Sequence, residues 1–183
     1  AHLDSYESLK EALLHGGIAN RLKVKLHYID SEFLTPENAY EQLEKMDGVL
    51  VAPGFGERGM EGKITAIQIA RTGNVPFFGI CLGMQMAIVE FARNVVGIAG
   101  ANSGESRPDH AENVIDLMPE QEGHQETGGT MRLGSQITVL KKGSRIARMY
   151  NKTTISERHR HRYEVMNEFV PRFEDAGLKI SGR

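Results

Sequence analysis

The chain has 183 residues, of which 40% are hydrophobic, and a net charge of −2, which suits one domain with a sizeable core. The small net charge argues against nucleic acid as a partner, and the short apolar runs argue against a membrane-spanning segment. Cys81 is the only cysteine, which excludes a disulfide framework and is typical of a reducing compartment, so we expect a soluble cytoplasmic protein.

The first quarter of the chain predicts two helices and a strand. A helix is expected over residues 4–15, where capping residues precede it and two glycines follow. Apolar residues alternate over 22–28, which predicts a strand. Thr35 and Pro36 suit the N-cap and first position of a second helix over 35–46.

Strands and helices continue to alternate through the middle of the chain. Apolar runs at 48–52 and 75–80 predict buried strands, and residues 60–72 and 82–93 have helical periodicity. A glycine-rich loop occupies 53–59. This alternation predicts an α/β fold, with a doubly wound, mainly parallel sheet and helices on both faces.

Cys81 lies between Gly79 and Gly83 at the point where a predicted strand meets a predicted helix. This is the pattern of a nucleophile elbow, in which the glycines avoid clashes within a tight turn. The N–H groups at the start of the helix favour a thiolate. Because ligands bind at the carboxyl ends of parallel strands, we expect the loop 53–59 at the same site. The alternative is that Cys81 is a small buried hydrophobic residue.

The second half of the chain has a less regular pattern. Residues 99–129 are rich in loop-forming types, and only 114–117 predict a strand there. Residues 130–140 and 153–165 are predicted as strands, and 168–176 as a short helix.

Arginine and histidine alternate over residues 158–162. In a strand the arginines would face one way, and His159 and His161 the other, so the two histidines are candidate metal ligands, although spacing places no third ligand. Phosphate binding by the arginines is a second interpretation, and a solvated or domain-facing charged edge is a third. We predict no metal in the functional site.

Five stretches of the sequence resemble one family. The elbow Gly-Ile-Cys-Leu-Gly-Met-Gln (79–85) and the loop 52–59 look like those of class I glutamine amidotransferases. Residues 101–105, 128–134 and 157–165 resemble the glutaminase domain of CTP synthase in particular. The resemblance implies that L-glutamine is hydrolysed through a cysteine thioester. The ammonia would pass to a synthase domain of the same polypeptide for ATP-dependent amination of UTP to CTP.

The same resemblance implies roles for individual residues. Cys81 would be the nucleophile, and the backbone N–H groups of Gly54 and Leu82 would form the oxyanion hole, which suits the developing charge on an amide carbonyl. A carboxylate such as that of Glu105 suits the α-ammonium group of the substrate. The residues expected to bind glutamine are Gly54, Leu82, Gln85, Glu105, Arg162 and Tyr163.

Cofactors and regulation also follow from the resemblance. It implies no cofactor in this domain, ATP with Mg²⁺ in the synthase domain, GTP as an allosteric activator, and a homotetramer as the full enzyme. Two glycine-bounded loops, 55–59 and 128–134, have the composition of mobile segments. The candidates for sensing GTP or closing over glutamine are Phe55, Arg58, Thr130 and Arg132.

The sequence also departs from the family pattern. Family members carry a His-Pro-Glu segment whose histidine is the base, and none of the seven histidines here matches it. We therefore expect residues 1–183 to be an amidotransferase domain without its first strand, that C-terminal segment and the synthase domain, and to be incomplete for turnover. The alternatives are a stand-alone cysteine hydrolase of the γ-glutamyl hydrolase type and a non-catalytic regulatory domain.

Overall fold

The structure, a computed structural model, describes residues 6–117 and 132–183. The first half of the chain alternates helices with short strands: α1 (Glu7–Ala19), α2 (Pro36–Leu43), β1 (Val49–Val51), α3 (Met60–Thr72), β2 (Phe77–Gly79) and α4 (Leu82–Phe91). The second half consists mostly of strands: β3 (Asn102–Ser103), β4 (Asn113–Leu117), β5 (Arg132–Val139), α5 (Arg145–Tyr150), β6 (Thr154–His161), β7 (Tyr163–Val165) and α6 (Val170–Asp175).

The described strands form three small sheets, two of which pack against helix α4. Strands β1 and β2 are parallel, as are β3 and β4, whereas β7 joins β4 antiparallel and β5 pairs with β6 as an antiparallel ribbon. Helix α4 contacts β1, β2, β3, β4 and β7, so it links the first two sheets. Its buried side chains share one core with those of its neighbours: Val51, Met60, Ile64, Ile67, Leu82, Met86, Val89, Val114, Ile115 and Phe173.

The predicted elements of the alternating region are confirmed. Helix α3 covers the predicted residues Met60–Thr72, and the strands at 48–52 and 75–80 appear as β1 and β2. Helix α2 starts at Pro36, and the preceding N–H of Thr35 donates to Asn38 Oδ1 at 2.9 Å, which caps the helix. Helix α2 nevertheless ends three residues earlier than predicted.

Two predictions near the N-terminus are wrong. Residues 22–28 form no strand, because alternation alone does not supply a neighbouring strand. Leu22 and Tyr28 are 67% and 59% exposed there, and only the apolar side chains between them are partly covered. Helix α1 continues past its two glycines to Ala19, and the Asn20 side chain then caps the carbonyl of Gly16 at 2.8 Å. The predicted cap at residues 4 and 5 lies outside the described residues.

In the second half, strand β4 confirms the prediction at 114–117, but the short strand β3 and helix α5 were not predicted. The single strand expected over 153–165 is divided at Arg162 into β6 and β7, which belong to different sheets. The predicted strand at 130–140 appears as β5, and the C-terminal helix is a 3₁₀ turn followed by α6.

A buried ion pair joins helices α3 and α4. Glu90, 1% exposed, accepts hydrogen bonds from Arg71 Nε and Nη2 at 2.9 and 2.7 Å and from Asn94 Nδ2 at 3.0 Å. Burial of a carboxylate is costly unless it is paired in this way, so the pair holds α4 in one position against α3. None of the helices among the described residues is long and apolar enough to span a bilayer.

Candidate active site

Cys81 occupies a strained turn between β2 and α4. Only Ile80 and Cys81 separate the strand from the helix, and the backbone of Cys81 has φ 53° and ψ −111°. A Cβ on Gly79 would lie 2.6 Å from the Gly83 carbonyl carbon, and one on Gly83 would lie 2.1 Å from Val51 O. Both glycines are therefore required by close backbone contacts, which confirms the predicted nucleophile elbow.

The elbow opens into a cavity of about 210 Å³. This cavity brings together seven residues predicted for the site from the sequence, of which Phe55 was a candidate for regulation or closure, together with His161, which was not predicted for it. Its lining consists of Gly54, Phe55, Cys81, Gln85, Glu105, His161, Arg162 and Tyr163. Leu82 is buried in the core, and a Cβ on Gly54 would touch its side chain at 3.3 Å.

The Cys81 thiol is half-buried and is favoured over the thiolate. Burial raises its pKa, the N–H of Leu82 acts in the opposite direction, and the charge of Glu105 raises it further. The thiol Sγ lies 3.9 Å from the carbonyl oxygen of Arg160, to which it donates. The N–H of Leu82 thus favours the thiolate, as expected for a helix N-terminus, but burial and the charge of Glu105 oppose it.

The glycine-rich loop 53–59 is tied to the rest of the site at two points. The hydroxyl of Tyr6 donates to the carbonyl oxygen of Pro53 at 3.2 Å. The N–H of Gly56 donates to Glu105 Oε1 at 2.7 Å. The peptides around Gly54 thus lie between two hydrogen bonds made by distant parts of the chain, and neither bond was predicted from the sequence.

The β6–β7 corner is connected to α4 through one backbone carbonyl. The carbonyl oxygen of Tyr163 accepts from Gln85 Nε2 at 3.1 Å and from His161 Nδ1 at 3.2 Å. His161 Nε2 lies 3.0 Å from His159 Nδ1, which acts as the donor when Nδ1 of His161 carries its proton. Burial lowers the pKa of His161, so this ring is neutral at pH 7.

The end of the run 158–162 lines the cavity, where the family resemblance had placed Arg162. His159 and His161 share one side of β6, as alternation predicts, and bond to each other. The described ranges 6–117 and 132–183 hold no group of three or more metal-ligating side chains. The sequence feature that could have identified His161 as a cavity residue is its position beside Arg162 and Tyr163, which were already assigned to the pocket.

The candidate regulatory residues lie in different places. Phe55 lines the cavity and is 62% exposed. Arg58 forms an ion pair with Glu32, with its Nε 2.7 Å from Oε2, and does not line the cavity. Arg132, at the start of β5, lies 3.9 Å from Glu164, and Thr130 lies outside the described residues.

Comparison with known proteins identifies the family of this chain. The family model described as glutamine amidotransferase class-I matches residues 1–183. A protein named CTP synthase from Geobacter metallireducens is 57% identical over 179 residues, and one from Maridesulfovibrio salexigens is 52% identical over 191 residues. Each alignment covers 98% of this chain but only 33% and 35% of those proteins, so the chain spans about a third of their length.

Comparison with a solved structure supports the same family assignment. The glutaminase domain of Trypanosoma brucei CTPS with bound acivicin matches with a TM-score of 0.91 and 38% identity, over 98% of this chain and 69% of that one. This likeness confirms the α/β amidotransferase fold and the resemblance to glutaminase domains of CTP synthases that the sequence motifs indicated. The chain therefore belongs to the class I glutamine amidotransferase family.

Proposed function

We propose that this chain is the glutaminase part of a CTP synthase. The observation that carries the proposal is the strained Cys81 in a cavity that also contains Gly54, Gln85 and Glu105. The full protein would hydrolyse L-glutamine here and use the ammonia to aminate UTP in a synthase domain of the same polypeptide. The similarity to CTP synthases about three times as long as this chain supports that division.

The reaction would begin with removal of the Cys81 proton, which the raised pKa makes necessary. The thiolate Sγ would attack the carboxamide carbon, and the oxyanion would be stabilised by the N–H groups of Gly54 and Leu82. As the C–N bond breaks, the nitrogen takes up the proton that was removed from Cys81 and leaves as ammonia. Water then hydrolyses the thioester to glutamate and restores the thiol. The family's base, the histidine of a His-Pro-Glu segment, has no counterpart in this sequence.

The α-ammonium and α-carboxylate groups of glutamine would be held on the side of the cavity away from Cys81. The carboxylate of Glu105 suits the α-ammonium group, and Gln85 would use its amide oxygen because its Nε2 already donates to Tyr163. The backbone near Arg162 and Tyr163 would complete the pocket. Binding at these groups leaves the carboxamide to point toward Cys81.

The remaining features of the full protein are proposals from the family resemblance. ATP with Mg²⁺ would act in the synthase domain and not in this one, and GTP would stimulate glutamine use. The assembled enzyme would be a cytoplasmic homotetramer. The γ-glutamyl hydrolase and the non-catalytic regulatory domain remain alternatives, and both lack the CTP synthase activity that tests the main proposal.

Replacement of Cys81 by serine in the full-length protein tests the function. We expect Cys81→Ser to abolish CTP formation from glutamine and to leave formation from added ammonia nearly unchanged, because only the first needs the thioester. The measurement is CTP production with each nitrogen source. An equal loss with both sources would show that Cys81 is structural.

Covalent labelling distinguishes the alternatives independently. Acivicin, which is bound in the Trypanosoma brucei structure, should add to Cys81 of the wild type and not to Cys81→Ser, as read by peptide mass spectrometry. A labelled protein that makes no CTP from either nitrogen source would favour the hydrolase. An unlabelled and inactive one would favour the regulatory domain.

A further inference from the structure

The hydroxyl of Tyr6 holds the peptide that precedes Gly54. Tyr6 is half-buried immediately before helix α1, and its Oη donates to the carbonyl oxygen of Pro53 at 3.2 Å, across 47 residues of sequence. Tyr6 is not among the residues that line the cavity. Its hydrogen bond therefore has no direct part in binding glutamine.

The Pro53 carbonyl and the Gly54 N–H belong to the same peptide unit. The described chain has no cis peptide bond, so this unit is planar and trans, and its C=O and N–H point in opposite directions. A group that holds the carbonyl on one side consequently aims the N–H at the other. We propose that Tyr6 is a positioning residue that orients the Gly54 N–H toward the oxyanion; this inference rests on the glutaminase function proposed above.

The local backbone makes such an anchor useful. Gly54 carries no side chain and Gly56 has a φ of 76°, so the peptide planes of this loop rotate more easily than those of other residues. The hydrogen bond from Tyr6 to Pro53 fixes the loop on the N-terminal side of Gly54, and the bond from the Gly56 N–H to Glu105 fixes it on the C-terminal side. An oxyanion donor is effective only when its direction is set before charge develops.

The proposal predicts a specific kinetic pattern. Without the hydroxyl, the Pro53–Gly54 peptide samples other orientations, and stabilisation of the oxyanion decreases while the substrate-binding groups stay in place. A neutral intramolecular hydrogen bond of ordinary strength corresponds to about a three- to tenfold decrease in kcat. The KM for glutamine should remain within about twofold. A merely structural role would instead alter every property of the site.

The test compares Tyr6→Phe with Tyr40→Phe in the full-length protein. Tyr40 is an exposed tyrosine on α2, so its variant controls for loss of a hydroxyl elsewhere. Initial rates of ammonia release give kcat and KM, and the rate of Cys81 alkylation by iodoacetamide gives the reactivity of the thiol. Alkylation forms no oxyanion, so it should be equal in all three proteins, whereas kcat should decrease only in Tyr6→Phe.

Two results would overturn the inference. One is a kcat for Tyr6→Phe equal to that of the wild type. The other is a parallel decrease in kcat and alkylation, which would mean that Tyr6 supports the elbow as a whole. Failure of the wild type to release ammonia from glutamine would instead refute the proposed glutaminase function, and this inference with it.

Discussion

At the scale of the residue, the charge of Glu105 acts on both the thiol and the loop. Its carboxylate accepts from the Gly56 N–H at 2.7 Å and raises the pKa of Cys81. In the proposed complex the same carboxylate meets the substrate ammonium. The positive charge of the bound ammonium group would offset the negative charge of Glu105, so binding of glutamine would itself favour the thiolate of Cys81.

Substitution of Glu105 by glutamine separates charge from shape. Glu105→Gln keeps an oxygen for the Gly56 N–H but removes the charge, so we expect KM for glutamine to increase about 10- to 100-fold. The Cys81 pKa should decrease, because a negative neighbour that disfavours the thiolate is gone. Iodoacetamide alkylation measured against pH should then shift to lower pH.

The exposed acid Glu41 on α2 supplies the matched control, Glu41→Gln. That variant should retain both the wild-type KM and the wild-type alkylation profile. If Glu105→Gln does the same, the carboxylate of Glu105 faces neither the substrate nor the thiol.

Sequence motifs predicted which residues lie together at the cavity where those residues are close in sequence. Cys81 and its flanking glycines are adjacent in sequence, so the elbow was evident, and Gln85 follows one turn later on the same helix. The bond from Tyr6 to Pro53 was not predictable, because no local pattern relates residues 47 positions apart. The balance between burial and the helix N-terminus at Cys81 also required the folded environment.

At the scale of the element, the crossing of α4 over β1 depends on the absence of a side chain at Gly83. A Cβ there would lie 2.1 Å from the backbone oxygen of Val51, which also accepts from the N–H of Ile80. We expect Gly83→Ala to lower the free energy of unfolding by about 2–4 kcal/mol, because α4 must move away from the strand. Chemical denaturation measures this change.

Gly16 provides the contrasting substitution. It lies inside α1, and no atom beyond the adjacent helix backbone lies within 4 Å of the place that a methyl group would occupy. Gly16→Ala should therefore raise stability by about 0.5–1 kcal/mol through helix propensity. Equal effects of the two alanine substitutions would contradict the role of the close contact at Gly83.

Helices and strands were predicted correctly where the signal lies within their own residues. Helix α3 has clear capping glycines and apolar periodicity, and its bounds were predicted correctly. The expected strand at 22–28 was not formed, because strand formation depends on a partner that the local alternation does not specify. The break at Arg162 was missed for a similar reason: β6 and β7 pair with different strands.

At the scale of the whole molecule, stimulation by GTP would couple the glutaminase site to the rest of the protein. Arg132 begins β5 beside the β6–β7 corner, whereas Arg58 is engaged by Glu32 away from the cavity. In the full-length protein, Arg132→Ala should reduce GTP stimulation of glutamine-dependent CTP synthesis about fivefold or more. Synthesis from ammonia should be unchanged.

Arg58→Ala is the companion variant, and it should have the smaller effect, because Arg58 lies away from the cavity and its Nε is bound to Glu32 at 2.7 Å, whereas Arg132 approaches Glu164 only to 3.9 Å. The measurement is the CTP formation rate over a range of GTP concentrations with each nitrogen source. A normal GTP response in both variants would remove the two arginines from the regulatory proposal.

The two-residue connection between β2 and α4 limits how the length of this protein can vary. Ile80 and Cys81 alone join the strand to the helix, and the glycines on either side lie against backbone atoms. One inserted or deleted residue would turn the Cys81 thiol away from the cavity and displace every buried side chain of α4. Changes in chain length among related proteins should therefore be absent from residues 77–91 and collect in the surface loops, so that Cys81 and the core are inherited as one unit.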